Sequence, residues 1–204
     1  MQSNVSELQH MKFLILFSHP DPGSFDAALH RRVVDVLRGN GHEVDDCDLY
    51  AEGFQPVLSL EERRKYNDEK APHPEVAAHI ERLQKAQGLI FVFPTWFYGM
   101  PAILKGYLDR VWLPGIAFTM VNGKPRSKLH HIERFAAVTT YGSPRSIMEG
   151  IVGDPNRRAL MRGIGNLVHP RAKKLFLAQY AMDSIDDTER ARFMALVERR
   201  IGEL

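Results

Sequence analysis

Phe93-Pro94-Thr95-Trp96-Phe97-Tyr98-Gly99-Met100-Pro101-Ala102-Ile103-Leu104-Lys105-Gly106 closes the apolar run Gly88–Phe93. The run reads as a buried strand that stops at Pro94. Beyond it stand two large aromatics and a tyrosine. A helix then starts at Pro101, a first-turn position that tolerates the missing N–H. A continuous apolar strand followed by a helix fits a parallel sheet covered on both faces. Open sheets of that kind bind ligands just past the carboxyl ends of their strands. The aromatic segment therefore predicts a shelf for a flat, hydrogen-bonding group.

The same alternation extends both ways from this stretch. Upstream, Lys12–Ser18 reads as a strand and Phe25–Arg38 as an amphipathic helix closed by Gly39 and Gly41. Glu43–Leu49 is a half-polar strand suited to an edge, and Val76–Ala86 is a helix. Downstream come a helix over Ala102–Trp112, a strand over Phe135–Thr140 and a helix over Asn156–Val168. A strand over Lys174–Tyr180 and a closing helix over Asp187–Ile201, introduced by Asp183 or Ser184, complete the pattern. Buried strands separated by helices predict an α/β fold. With right-handed crossovers, the expected arrangement is a flavodoxin-like, five-stranded parallel sheet of order 2-1-3-4-5, helices on both faces. Of the two long connections, Tyr50–Pro74 carries Glu61-Glu62-Arg63-Arg64-Lys65, which reads as a short solvated helix. Leu113–Lys128 holds Asn122-Gly123, a hairpin signal.

Composition narrows the classes. The 204 residues suit one domain, 1–204, with Met1–His10 as a flexible extension. A net charge of +2 is too balanced to argue for nucleic acid or an anionic membrane. No stretch approaches the length of a membrane span, and a short apolar run after a polar N-terminus does not make a signal peptide. A single cysteine, Cys47, fits a reducing compartment, so a cytoplasmic location is expected. Cys47 lies in a strand and reads as a buried, inert thiol. The nine histidines are scattered, and His130-His131 is an adjacent pair that does not share one helix face, so no metal site is expected.

In a 2-1-3-4-5 sheet the loops after strands 1, 3 and 4 converge. The first, Ser18-His19-Pro20-Asp21-Pro22-Gly23-Ser24-Phe25-Asp26, opens a helix at which Ser24 can cap and the first-turn N–H groups can receive a phosphate. It is neither GxGxxG nor a P-loop. In the second, Trp96 and Phe97 can stack on a ring, and the Thr95 and Trp96 amides can face its edge. Lys105, Asp109 and Arg110 read as an ion-paired set on the following helix. The third, Thr139-Thr140-Tyr141-Gly142-Ser143-Pro144-Arg145, supplies amides and hydroxyls that suit charge on a reduced ring. Phosphate cradle, aromatic shelf and amide-rich loop together point to a flavin.

These segments, from Ser18-His19-Pro20 through the Pro94–Val111 run to Thr139-Thr140-Tyr141-Gly142, resemble the DT-diaphorase-like NAD(P)H:quinone oxidoreductases. The resemblance covers about residues 12–180. It implies the flavodoxin-like fold and a flavin, FAD in the quinone reductases and FMN in some bacterial relatives. It also implies hydride transfer from NAD(P)H to flavin N5, followed by two-electron reduction of a quinone in the same pocket. Carried over, His19, Phe25 and Asp26 stand at the phosphates. Pro94, Thr95, Trp96 and Phe97 hold the isoalloxazine, and Thr139, Thr140, Tyr141 and Gly142 hold its pyrimidine side. A homodimer is implied as well.

The chain also departs from the family. Tyr141 replaces the first of two glycines. The family tyrosine and histidine that handle charge during hydride transfer fall near Ser146 or Ile147 and at Val152. Tyr141, with its hydroxyl over the ring, is then the candidate catalytic residue. Azo- or nitroreductase activity, or a flavin-binding ancillary subunit of a potassium efflux transporter, stand as alternatives.

Overall fold

Alternate residues of the central strands feed two separate apolar layers, which is why the strands read as unbroken apolar runs. The structure, a computed structural model, describes residues 10–204. The expected extension, His10 excepted, lies outside the described residues. Strand β1 (Lys12–Phe17) turns Leu14 and Leu16 to one layer and Phe13, Ile15 and Phe17 to the other. Strand β3 (Gly88–Thr95) does the same with Leu89, Phe91 and Phe93 against Ile90 and Val92. Each large apolar side chain so buried contributes roughly 1.5–3 kcal/mol.

Helix α1 (Phe25–Gly39) and the last helix, α6 (Asp187–Gly202), cover one face. Helices α3 (Ala77–Lys85) and α4 (Ala102–Val111) cover the other. The remaining sheet strands are β2 (Glu43–Asp48), β6 (Arg134–Tyr141) and β7 (Lys173–Gln179). The sheet order is β2-β1-β3-β6-β7, all parallel. Counted among sheet strands alone this is the expected 2-1-3-4-5. The numbers shift because the Leu113–Lys128 connection adds a hairpin, β4 (Phe118–Val121) and β5 (Lys124–Ser127), outside the sheet. Its turn residues Asn122 and Gly123 have φ of 51° and 72°, the left-handed pair a tight hairpin demands.

The charged connection folds as expected into α2 (Leu60–Lys65), started by a Ser59–Glu62 capping box. Glu62 then turns inward to Arg110 of α4 at 2.6 Å. Burial raises the Glu62 carboxyl, but the Ser59 amide and the Arg110 guanidinium outweigh it and hold it below the usual range. Lys105 pairs with Asp109 at 2.5 Å on the exposed side of α4.

Several sequence expectations need correction. Strand β3 does not stop at Pro94; Pro94 and Thr95 continue to pair with Thr140 and Tyr141 of β6. The missing proline N–H is harmless for a geometric reason. The Val92 carbonyl accepts from Ser18 on the β1 side, and Pro94, two residues on, faces that same side after β1 has ended. The expected helix Asn156–Val168 is fragmented into α5 (Pro155–Arg158), a π-helical turn over Ala159–Gly163 and a 3-10 turn over Ile164–Asn166. Gly163 and Gly165 lower helix propensity through this stretch. Ser146–Val152 is also π-helical. The closing helix is capped by Asp186, which forms a capping box with Glu189, rather than by Asp183 or Ser184.

Candidate functional site

Contacts between side chains tie the three convergent loops to one another. The Thr140 hydroxyl of β6 donates to both oxygens of Asp26, in the first turn of α1, at 2.9 and 3.1 Å. Thr95, at the end of β3, and Thr139 of β6 share a hydrogen bond of 2.9 Å between their hydroxyls. The His19 ring stands 5.8 Å from the Trp96 ring, joining the first loop to the second. Asn156, at the start of α5, adds a bond from its Nδ2 to Thr95 Oγ1 at 2.9 Å.

The loop after β3 owes its shape to a tight turn. Trp96 and Gly99 exchange two backbone bonds of 3.0 Å, and the intervening Phe97 and Tyr98 have φ of 46° and 65°. Left-handed backbone is costly for residues with a side chain, and strain of this sort gathers at functional sites. The turn holds Phe97 wholly in solvent, at 101% of its reference exposure, with Trp96 at 42% and Tyr98 at 47%. The Trp96 amide is bonded within this turn and does not point outward, contrary to the expectation that it faces a ring edge.

A cleft of about 540 Å³ opens between this turn and the loop after β6. Thr95, Phe97, Tyr98, Tyr141, Gly142, Pro144 and Asp183 line it. Ser24 caps α1, its hydroxyl accepting from the Ala27 amide at 3.1 Å. Ser24 and Phe25 border a neighbouring groove of about 460 Å³ with Arg31 and Arg190. Phe25 leans on Phe193 of α6, ring centroids 6.5 Å apart. His19 borders a third hollow with Arg31 and Tyr50. A larger cleft of about 610 Å³, lined by Arg157, Arg158, Arg162 and Lys174, contains none of the predicted residues.

The twelve predicted residues therefore divide. Thr95, Phe97, Tyr141 and Gly142 line the central cleft, with Trp96 beside His19. Asp26, Pro94, Thr139 and Thr140 stand behind the loops, Asp26, Thr139 and Thr140 as the ties between them. His19, Ser24 and Phe25 border adjoining grooves. Tyr141 is buried. Its hydroxyl donates to Asp154 Oδ1 at 2.8 Å and its ring stacks on Tyr180 at 4.8 Å. Burial, and then the Asp154 carboxylate, hold this phenol well above its ordinary range. Burial pushes the Asp26 carboxyl up to about 6, against the pull of the Thr140 bond.

Sequence reasoning missed Asp154, Asp183 and Tyr180. Asp183 follows β7, far along the chain, and only the sheet order brings it to within 3.1 Å of where a side chain on Gly142 would begin. A strand-end loop after β7 was the available signal.

The flavodoxin-like fold family matches residues 11–196. The chain belongs to that family, in its NAD(P)H:quinone oxidoreductase branch. The chain is 34% identical over 157 residues to an uncharacterized NAD(P)H oxidoreductase of Haemophilus influenzae, covering 76% of this chain and 77% of that one. It is 30% identical over 161 residues to NAD(P)H dehydrogenase (quinone) 1 of Rattus norvegicus, covering 70% of this chain and 58% of the rat protein's length. A solved NAD(P)H:quinone oxidoreductase from Methanothermobacter marburgensis superposes with a TM-score of 0.83 at 28% identity. That alignment covers 95% of this chain and 98% of the other.

Proposed function

We propose that this chain is a flavin-dependent oxidoreductase that takes hydride from NADH or NADPH and delivers two electrons to a quinone or similar electrophile. The observation that carries the reading is the cleft between Phe97 and Gly142, with a strained, wholly exposed aromatic on one lip. Its volume suits a ring system of that size. The residues present fit a flavin. Phe97 and Tyr98 offer apolar faces, and Gly142 lets backbone approach closely. The α1 N-terminus, with Arg31 and Arg190 on its groove, suits phosphates. That groove extends the binding surface beyond one phosphate, which favours FAD over FMN.

A flavin held there supplies hydride acceptance from the nicotinamide and two-electron delivery to the acceptor. The chain's own residues do the rest. Phe97 and Tyr98 would wall the ring, with Trp96 behind them toward His19. Thr95 and Thr139 fix the floor, and Thr140 fixes the start of α1 through Asp26. Tyr141 keeps its proton, because its phenol is poorly acidic and points at a carboxylate. We assign it the role of holding a proton at the cleft wall, with Asp154 behind it as a positioning residue. The exposed Phe97 lip is suited to cover by a second copy of the chain, so a homodimer is inferred. Its location is proposed as cytoplasmic.

The purified protein is expected to be yellow, to bleach anaerobically with NADH or NADPH, and to turn over a simple benzoquinone. A colourless protein that takes up neither FAD nor FMN overturns the reading.

A further inference from the structure

We propose that Cys47, Glu52 and His79 form a zinc-binding site at the β2 edge of the sheet, separate from the ligand cleft. Cys47 lies on β2, Glu52 in the turn after it, and His79 on α3. Cys47 Sγ is 3.7 Å from Glu52 Oε2 and 3.9 Å from His79 Nδ1. One ligand atom from each residue lies within 4.8 Å of the other two. A tetrahedral zinc with sulfur at about 2.3 Å and nitrogen or oxygen at about 2.0–2.1 Å sets its ligand atoms roughly 3.5 Å apart. Small side-chain rotations close the difference. Cys47 is buried and Glu52 exposed, so the site is anchored inside and open to solvent on one side.

A second observation points to the same place. The Tyr107 hydroxyl is fully buried and has no hydrogen-bond partner among the described residues. Its ring meets His79 edge-on, with centroids 5.6 Å apart. An orphaned buried hydroxyl is costly unless something occupies the space it faces. Through its ring contact with His79, Tyr107 borders the proposed site, where a zinc-bound water would offer such a partner.

Charge argues the same way. Arg82 donates to Glu52 at 2.8 Å and pairs with Asp45 at 2.7 Å. Two carboxylates and one guanidinium leave one negative charge unmatched. Zinc binding releases the Cys47 proton to solvent and forms one zinc–thiolate bond. That adds two positive charges and one negative, which brings the cluster to neutrality. Arg82 meanwhile fixes the Glu52 carboxylate, the outer-shell orientation that metal sites need. The His79 ring is held in place by edge-on contacts with Phe54 and Tyr107. Sequence spacing gave no hint, because the three residues come from a strand, a turn and a distant helix.

The test is direct. The flavin-loaded protein is stripped with a chelator and titrated with zinc ion against a competing chromophoric chelator. One zinc per chain is expected, with a higher Tm and, by zinc-edge X-ray absorption, one sulfur at about 2.3 Å. Cys47→Ala and His79→Gln are expected to weaken binding about 100-fold or more while keeping the flavin spectrum. If Cys47→Ala does not fold, Glu52→Gln, at an exposed position, is expected to lower affinity about tenfold and keep the sulfur signal. No binding, a shell of nitrogen and oxygen alone, or unchanged affinity in the variants overturns the proposal.

Discussion

The Tyr141 hydroxyl donates a 2.8 Å hydrogen bond to Asp154 Oδ1, and Asp154 is itself 4% exposed in a left-handed conformation, φ 43°. Asp154 Oδ1 also accepts the Arg157 amide at 3.1 Å, while Oδ2 has no partner among the described residues. Removing the Tyr141 hydroxyl leaves a buried carboxylate with one donor. Tyr141→Phe is therefore expected to cost about 1–3 kcal/mol. Chemical denaturation reads that cost. Asp154→Asn combined with it is expected to be non-additive, the mark of a direct pair. If Tyr141 also holds a proton for the reaction, stopped-flow reduction by NADH or NADPH slows about tenfold in Tyr141→Phe. Wild-type rates would leave Tyr141 a structural residue.

Asp26 gives a pH signature. Its carboxyl is raised to about 6 in the folded state, chiefly by burial. The folded protein then holds this proton more tightly than the unfolded chain does. The contribution is full below about pH 4 and is lost as pH rises to about 6, a fall of roughly 2–3 kcal/mol. Asp26→Asn keeps an acceptor for Thr140 and removes the charge. Urea unfolding at pH 4.5, 5.5 and 7 is expected to show the variant gaining on wild type steadily across that window. A constant difference between the two would mean that Asp26 does not titrate there.

Gly106, in the family-like Leu104-Lys105-Gly106 run, has a packing role. A Cβ on it would overlap the carbonyl and ring of Pro56. Gly106→Ala is expected to destabilise by about 1–3 kcal/mol through overpacking. Flavin affinity in the folded variant should be unchanged, as titration by flavin fluorescence can check.

The fold was legible because burial on both faces writes itself as unbroken apolar runs, and Phe13–Phe17, Gly88–Phe93 and Phe135–Thr140 are such runs. The half-polar Glu43–Leu49 pattern marks an edge, and β2 is the edge strand of the sheet. What local pattern could not convey depended on neighbours in space. Pro94 looks like a strand breaker until β1 is seen to end beside it. Asn156–Val168 has apolar residues at helical spacing, yet tertiary packing and two glycines break its regularity. In the site, the loops were readable as strand ends, but not which side chains tie them and which face the cleft. Thr140 and Asp26 look like binding residues and instead bond each other. The Asp154 partner of Tyr141 lies past a π-helical segment that no simple periodicity announces.

Phe97 offers the sharpest separation of function from stability. It is wholly exposed, so it contributes little to folding, and its φ of 46° is unfavourable for any residue with a Cβ. Phe97→Gly is expected to stabilise the flavin-free protein by up to about 1 kcal/mol, since glycine tolerates that backbone. Phe97→Ala, which keeps the strain, is expected to change stability by less than about 0.5 kcal/mol. Both lose the stacking face, worth about 0.5–1.5 kcal/mol beyond area, so flavin binding should weaken at least several-fold in each. Thermal unfolding of the flavin-free forms and fluorescence titration with FAD measure the two effects separately. A more stable but weaker-binding Phe97→Gly is the result expected of strain kept for binding. Undiminished affinity in both variants would remove Phe97 from the shelf.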